Sequence, residues 1–480
     1  MIVKRFYDER LAQASFMVGC PGSGEAIVID PSRIVEPYLE AAAAEGLRIT
    51  GVTETHIHAD YVSGSRELGA TTGATIYLSD EGDADWKYGY ANDPNVRLVK
   101  DGDEIRTGAV RLVVRHTPGH TPEHISFVLY DESASEEPLG AFTGDFIFVG
   151  DVGRPDLLER AANIKGTMEK GARVLYNSLR KFVEYPDHLI LWPGHGAGSA
   201  CGKSLGGVPV TSLGYEKRSG WAFQTAGEQD FVEEVLAGQP EPPKYFAHMK
   251  RINKEGPPIL GAISIPPRKQ TDELIRLLDA GATMFDMRPA GGAAAGLIPG
   301  TINVPFEKSF TTWAGWFAPY DAPVYLIGEN ETEVLEAVKA LATIGIDQVG
   351  AWFGHEVVEE YQKSRDLATI GQMQAREAKE RLDAGEVTIV DVRGASEYEE
   401  GHIPGSIHVP LGYLADRADS IPKDKPVVFQ CYAGGRSSIG ASLWVKLGNP
   451  PPLNFVGGFE EYEAQGLEIE TGSGKEPVHA

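Results

Sequence analysis

The chain has 480 residues, 42% of them hydrophobic, which is enough for about three domains of ordinary size. Its formal net charge of −25 tells against nucleic acid and anionic membranes as partners, and any anionic substrate must find local positive charge. Cys20, Cys201 and Cys431 stand at no motif spacing, and no apolar stretch has the form of a signal peptide or membrane span, so a reducing cytoplasm is expected rather than a disulfide framework.

Ala41 to Ala44 sit in a helical pattern. The next informative run is Gly51-Val52-Thr53, a β-branched strand end that leads into Thr55-His56-Ile57-His58-Ala59-Asp60-Tyr61. A rigid strand end followed by a turn lets alternate imidazoles converge on one point, which suits a metal. Three further strand-to-turn events carry ligand-type residues. Val110 to Val114 leads to His116-Thr117-Pro118-Gly119-His120; Phe142-Thr143-Gly144 leads to Asp145; Leu189 to Trp192 leads to Pro193-Gly194-His195.

With these motifs, residues 1 to about 250 resemble the persulfide dioxygenase branch of the metallo-β-lactamase superfamily, a relative of glyoxalase II. The resemblance implies an αββα sandwich and one Fe(II) per chain held by His56, His120 and Asp145, with no organic cofactor. That set matches the facial triad of non-haem iron oxygenases. The superfamily signature normally ends in a second histidine where this chain has Tyr61. A phenol ionises only near pH ~10 and is a poor substitute ligand, so Tyr61 tells against a second metal. Asp60, Tyr61 and His195 are therefore expected to orient ligands or water. His58 is a ligand in the hydrolases and is expected beside the metal in the iron branch; His116 and His124 flank the ligand turn. Arg154, in a glycine-arginine segment resembling the family's, is a candidate for holding the thiol carrier. Cys201 and Lys203 lie in Ser199-Ala200-Cys201-Gly202-Lys203, which resembles a segment of multidomain members; Cys201 is a candidate persulfide carrier near the metal, and Arg218 is a further cation of interest.

Gln239-Pro240-Glu241-Pro242-Pro243 and Gly256-Pro257-Pro258 mark the end of this region, and the second is the expected boundary. Beyond it lies an internal repeat. Phe285-Asp286-Met287-Arg288 matches Val390-Asp391-Val392-Arg393, and Ile298-Pro299-Gly300 matches Ile403-Pro404-Gly405 at the same offset. Both units look like rhodanese domains, α/β modules with a parallel sheet. In the second, the strand Val427 to Gln430 runs into Cys431-Tyr432-Ala433-Gly434-Gly435-Arg436-Ser437 ahead of a helix. A cysteine at such a turn faces backbone N–H groups and a helix N-terminus, which favours the thiolate, and Arg436 adds fixed charge. In the first unit, Val324 to Ile327 runs into Gly328-Glu329-Asn330-Glu331, so no nucleophile stands there and the acidic residues would repel sulfite.

The expected domains are thus 1–257 (metal-binding), 258–366 (degenerate rhodanese-like) and 367–480 (active rhodanese-like). Their order resembles the bacterial persulfide dioxygenase–sulfurtransferase fusions. The resemblance implies oxidation of a low-molecular-weight thiol persulfide by dioxygen to sulfite, followed by transfer of sulfur from Cys431 to sulfite as thiosulfate. A homo-oligomer is expected. Glutathione, coenzyme A and bacillithiol all remain as carriers. Two other readings stand beside this one: a glyoxalase II-like zinc hydrolase of thiolesters, and a non-catalytic sulfane-sulfur carrier or sensor.

Overall fold

The computed structural model describes residues 1–157, 159, 166–203 and 205–472, so the last eight positions of the expected C-terminal domain lie outside the described residues. The chain forms two compact units, residues 1–262 with 342–345, and residues 263–341 with 346–480. Among the described residues, no helix is long and apolar enough to cross a membrane.

The first unit is built on two six-stranded sheets. One contains, in order, β1 (Ile2–Asp8), β2 (Gln13–Cys20), β3 (Glu25–Ile29), β4 (Arg48–Thr53), β5 (Thr75–Ser79) and β6 (Val96–Val99). The other contains β7 (Glu104–Thr107), β8 (Val110–His116), β9 (Ile125–Asp131), β10 (Gly140–Gly144), β11 (Ile190–Pro193) and β12 (Thr211–Ser212), each beside its neighbours in sequence. Side chains alternate between faces along each strand, and the apolar sets follow that period. Phe16 and Val18 of β2 join Leu112 and Val114 of β8, Phe127 of β9 and Phe142 of β10 in the core between the sheets. Met17 turns the other way, toward Tyr38 and Ala42 of the helix Glu36–Ala44. Val113 and Val128 face Leu175 and Leu179 of the helix Thr167–Phe182. The result is the helix–sheet–sheet–helix sandwich expected. Phe127 is fully buried at its centre, where truncation to alanine costs about 3–5 kcal/mol.

Strand ends position the chemistry. β3 pairs in parallel with β4, and β10 with β11, so Asp30, the 54–61 turn, Asp145 and His195 all leave C-terminal strand ends. β8 pairs with β9 as far as His116 opposite Ile125, and the turn between them carries His120. Gly119 has φ 144° and lies against the backbone of Leu175, where a Cβ has no room.

The second unit holds two all-parallel sheets. The first is ordered β14 (Ile302–Asn303), β13 (Thr283–Asp286), β15 (Val324–Ile327), β16 (Val349–Phe353). The second is ordered β17 (Gly371–Met373), β21 (Leu453–Phe455), β20 (Val427–Gln430), β18 (Thr388–Asp391), β19 (Ile407–His408). Parallel strands are covered on both faces, which explains the continuous apolar runs such as Val427-Val428-Phe429. The two halves of the sequence repeat correspond to β13 with β14, and β18 with β19.

Candidate metal centre and cysteine loop

His56, His120 and Asp145 bring one ligand atom each within 4.8 Å of one another, all buried. Their outer contacts set which atoms remain for a metal. His56 Nδ1 is 3.0 Å from Thr55 Oγ1, whose hydroxyl donates to Asp30 Oδ2; the ring therefore donates from Nδ1 and keeps the Nε2 lone pair. His120 Nδ1 donates to the Arg154 carbonyl at 2.9 Å, again leaving Nε2. Asp145 Oδ1 accepts from His195 Nδ1 at 2.8 Å, while Oδ2 is buried without a hydrogen-bond partner. That oxygen lies 3.9 Å from His56 Nε2 and 3.6 Å from His120 Nε2. Two free imidazole nitrogens around an orphaned carboxylate oxygen fit a divalent cation. Burial, together with the neighbouring imidazole of His58, holds His56 well below its ordinary pKa, so it is neutral and ligand-ready. Burial also lowers His120.

Asp145 itself is pulled well down: burial opposes ionisation, but the charge and hydrogen bond of the adjacent His195 outweigh it. His195 sits between two carboxylates, with Nε2 2.7 Å from Asp60 Oδ2. Burial disfavours its charge, yet Asp145 and Asp60 raise its pKa well above the usual histidine value. Both ring nitrogens donate, and the imidazolium offsets the two acids.

Tyr61 and His58 contribute no atom to the His56–His120–Asp145 set. The Tyr61 phenol donates to the Asp30 carbonyl at 3.2 Å, and burial, reinforced by Asp30 and Asp60, pushes its pKa well up. His58 Nε2 is 3.1 Å from Asp30 Oδ1, so this histidine stands beside the metal cluster and is oriented by a carboxylate. Burial opposes its protonation but Asp30 prevails and raises the pKa. His124 accepts from the Asp145 N–H through Nε2 and contacts Thr117 Oγ1 through Nδ1. His116 points instead to the Pro122 carbonyl.

Asp30 is the residue that motif reading missed. It holds Thr55 through its N–H and hydroxyl, and His58 through the ring. Its φ of 52° is left-handed, uncommon for a non-glycine residue and typical of functional turns. The only sequence signal is Ile-Asp-Pro at the end of an apolar strand. Asn253, from the helix Phe246–Glu255, is a second such residue: its Nδ2 donates to the carbonyls of His58 and Tyr61. Replacing Asp30 by alanine frees Thr55 and His58, and metal affinity is expected to fall about 10–100-fold, the scale of outer-shell changes. Competition with a metal-binding dye measures this, and unchanged affinity would remove Asp30 from the centre.

The candidate substrate residues divide. Cys201 is buried beside Asp60 and His195, all three with ligand atoms within 4.8 Å, and burial together with Asp60 and Asp145 pushes its thiol well up. Arg154 does not present its side chain to a substrate: it is fully buried, its guanidinium binds Asp156 at 2.7 Å on both oxygens, and Nη1 donates to the Ala200 carbonyl. Its part is to set the carbonyl that orients His120. Lys203 donates to the carbonyl and Oε1 of Glu234 and lies over Trp221. Arg218 is exposed and pairs with Asp187.

In the second unit Cys431 follows β20 directly and precedes the helix Gly435–Lys446. The Gly434 N–H donates to Sγ at 3.1 Å, and Ser437 Oγ lies 3.5 Å away. Gly434 has φ 98°, a conformation that turns its N–H onto the sulfur and that a side chain would strain. Arg436 is not a free charge above the thiol: Nη1 and Nη2 bind Glu397 at 2.6 and 2.7 Å. It acts by fixing the loop to the helix Ala395–Glu400. In the first repeat, β15 leads to Gly328, and the Glu329 N–H is taken by Glu333 Oε2. No thiol or basic side chain occupies that loop.

A family model described as the metallo-beta-lactamase superfamily matches residues 8–195, and one described as the rhodanese-like domain matches residues 374–465. Among solved structures, a metallo-beta-lactamase from Staphylococcus aureus subsp. aureus COL is 41% identical with a TM-score of 0.67, covering 74% of this chain and 99% of that one. A hydroxyacylglutathione hydrolase from Rhodospirillum rubrum is 33% identical over 180 residues, 38% of this chain and 60% of its own length. The mitochondrial persulfide dioxygenase ETHE1 of Bos taurus is 29% identical over 206 residues, 41% of this chain and 68% of its own. The chain thus spans less than two thirds of the hydrolase.

Proposed function

Starting from a chain that belongs to the metallo-β-lactamase superfamily and carries a rhodanese-like domain near its C terminus, we propose an iron-dependent persulfide dioxygenase coupled to a sulfurtransferase. Residues 1–257 form the oxidising domain, 258–366 a degenerate rhodanese-like domain and 367–480 the transferase. The observation that carries the reading is the ligand set itself: two free Nε2 atoms and the orphaned Asp145 Oδ2, with the Tyr61 phenol directed to Asp30.

The net oxidation joins a thiol persulfide, one dioxygen and one water to give the thiol, sulfite and two protons. The outer sulfur gives up four electrons and dioxygen accepts them. When bound, ferrous iron supplies the redox partner that lets triplet dioxygen react with a closed-shell persulfide. The chain's own residues hold His56 and His120 neutral, keep Asp145 ionised, and balance Asp60 and Asp145 with the His195 imidazolium, so that an anionic persulfide meets less repulsion. In the transfer half, the Cys431 thiolate attacks the outer sulfur of a second persulfide, and the carrier leaves as its thiolate. Sulfite then attacks the sulfur held on Cys431, that S–S bond breaks, thiosulfate departs and the Cys431 thiolate is restored. The Gly434 N–H supports the anionic sulfur at each stage.

Iron-loaded protein is expected to consume oxygen on addition of glutathione persulfide or coenzyme A persulfide, with thiosulfate as the main product. No uptake with either carrier, or with bacillithiol persulfide, would overturn the reading. A two-metal thiolester hydrolase is favoured by one observation, the Asp60–His195–Cys201 cluster, and by the hydrolase relative. Metal analysis separates the two: one iron per chain supports the dioxygenase, and two zinc ions with thiolester turnover support the hydrolase.

A further inference from the structure

The helix Gly435–Lys446 begins four residues after Cys431 and is buried at every position from Ser437 to Val445. A helix carrying Ser437, Ser438 and Ser442 has no amphipathic reason to be covered all round; its own sheet covers one side only. The first repeat covers another. The Asn303 N–H donates to Ser442 Oγ at 2.9 Å, and that hydroxyl donates to the Ile439 carbonyl. Lys446, in the last turn, extends Nζ to the carbonyls of Gly300 at 2.7 Å and Ala282 at 3.4 Å. Burial lowers the Lys446 pKa, as expected for an ammonium held by carbonyls rather than water.

Two of these contacts, those of Gly300 and Asn303, come from the segment around the Ile-Pro-Gly turn that the two repeats share. Asn303 Nδ2 donates to the carbonyls of Asp286 and Arg288, just as His408 Nε2 contacts the Arg393 carbonyl in the second repeat. Gly300, with φ 98°, belongs to the Ile-Pro-Gly turn. A unit without a nucleophile thus keeps its turn in use against the helix of the other repeat, with its Asp-x-Arg strand end holding Asn303 in place. A second strut runs through aromatic packing. Trp316, on the helix Phe310–Phe317, lies over Gly412 and meets Tyr413 edge-on at 5.6 Å; Leu411 beside them packs against Gly440 of the same buried helix.

We infer that the degenerate rhodanese-like unit is a positioning element for Cys431: through Ser442, Lys446 and Trp316 it sets the pose of the helix whose N-cap residue, Gly434, donates its N–H to the thiol sulfur. Helix N-termini stabilise anions only over the first turn, so a small tilt weakens the support given to the sulfur. Arg436 interacts electrostatically with Cys431 and is paired with Glu397; both belong to the second repeat and make none of the strut contacts.

The inference builds on the proposed transfer role of Cys431, and the test separates them. In the full chain, Ser442→Ala, Lys446→Met and Trp316→Ala are compared with the unaltered protein and with Lys446→Arg. Peptide-resolved mass spectrometry follows alkylation of Cys431 by iodoacetamide at pH 7, far below the unfolding midpoint. Sulfur transfer from thiosulfate to cyanide gives kcat and KM. Alkylation and kcat are expected to fall about threefold or more, the scale of a helix-terminus effect, with KM little changed and Lys446→Arg close to the unaltered chain. A lower melting temperature with unchanged alkylation and kcat would overturn the inference and leave a purely stabilising contact. If the unaltered chain transfers no sulfur, the proposed function of Cys431 fails, while the alkylation rates still decide the positioning role.

Discussion

Asp145→Ala is expected to empty the metal centre and abolish persulfide-dependent oxygen uptake. Asp145 is the one anionic member of the His56–His120–Asp145 set, and Oδ2 is the atom both Nε2 groups surround. Changes that merely touch a ligand's partner cost about 10–100-fold in metal affinity, and loss of the charged ligand itself exceeds that. The substitution also strips His195 of one of its two carboxylates, leaving Asp60 as its partner. Its imidazolium is then less favoured in a buried site, because the raised pKa drew on both acids. Asp145→Asn is the control for shape: the main-chain N–H can still reach His124, but the charge is gone. Metal analysis after anaerobic loading, with oxygen uptake on the same sample, gives the answer. Bound iron and retained uptake in Asp145→Ala would remove this residue from the reaction.

Cys431→Ser is expected to leave oxygen uptake intact and change the product from thiosulfate to sulfite. Serine fits the loop and can still accept from Gly434, so the fold should hold. Its hydroxyl, however, does not carry a transferable sulfur at neutral pH, and loss of a covalent nucleophile lowers turnover by roughly 1000-fold or more. Sulfite then accumulates because the oxidising step does not pass through Cys431. Sulfite and thiosulfate quantified together over one time course test this. Thiosulfate formed at the unaltered enzymatic rate would show that the cysteine loop is not the transferase.

Local patterns carried much of this protein. The strand-to-turn runs ending at Thr53, His116, Gly144 and Pro193 were legible because β-branched stretches followed by glycine or histidine turns express a short-range preference. The Cys431 loop was legible for the same reason: strand, glycine-rich turn and helix follow one another within a few residues. Asp30 was not legible. It meets Thr55 and His58 from a different strand, and nothing in Val-Ile-Asp-Pro distinguishes a ligand-orienting acid from a turn residue.

The charged side chains show the limit most clearly. Arg154, by motif a candidate for holding the thiol carrier, is buried against Asp156 and the Ala200 carbonyl. Arg436, expected to add fixed charge to the cysteine loop, is paired with Glu397. In each case the residue type pointed to an anion, and the anion turned out to be a carboxylate of the chain itself. The degenerate repeat is the converse case: its missing cysteine was plain, but its grip on the helix after Cys431 appears only when Asn303, Gly300 and Trp316 are seen beside Ser442, Lys446 and Gly412.

By itself the sequence determined the strand-to-turn motifs, the internal repeat and the cysteine loop, since each is written in short contiguous runs whose spacing follows strand and helix periods; the sandwich, the parallel modules and the His56–His120–Asp145 set came from the family resemblance those motifs carry. Only the tertiary structure decided which carboxylate each arginine meets, that Cys201 lies beside Asp60 and His195, that Asp30 aligns two of the histidines, and that one repeat supports the other. Long polar side chains choose partners by proximity, and proximity between residues far apart in the chain is a product of folding rather than of local pattern.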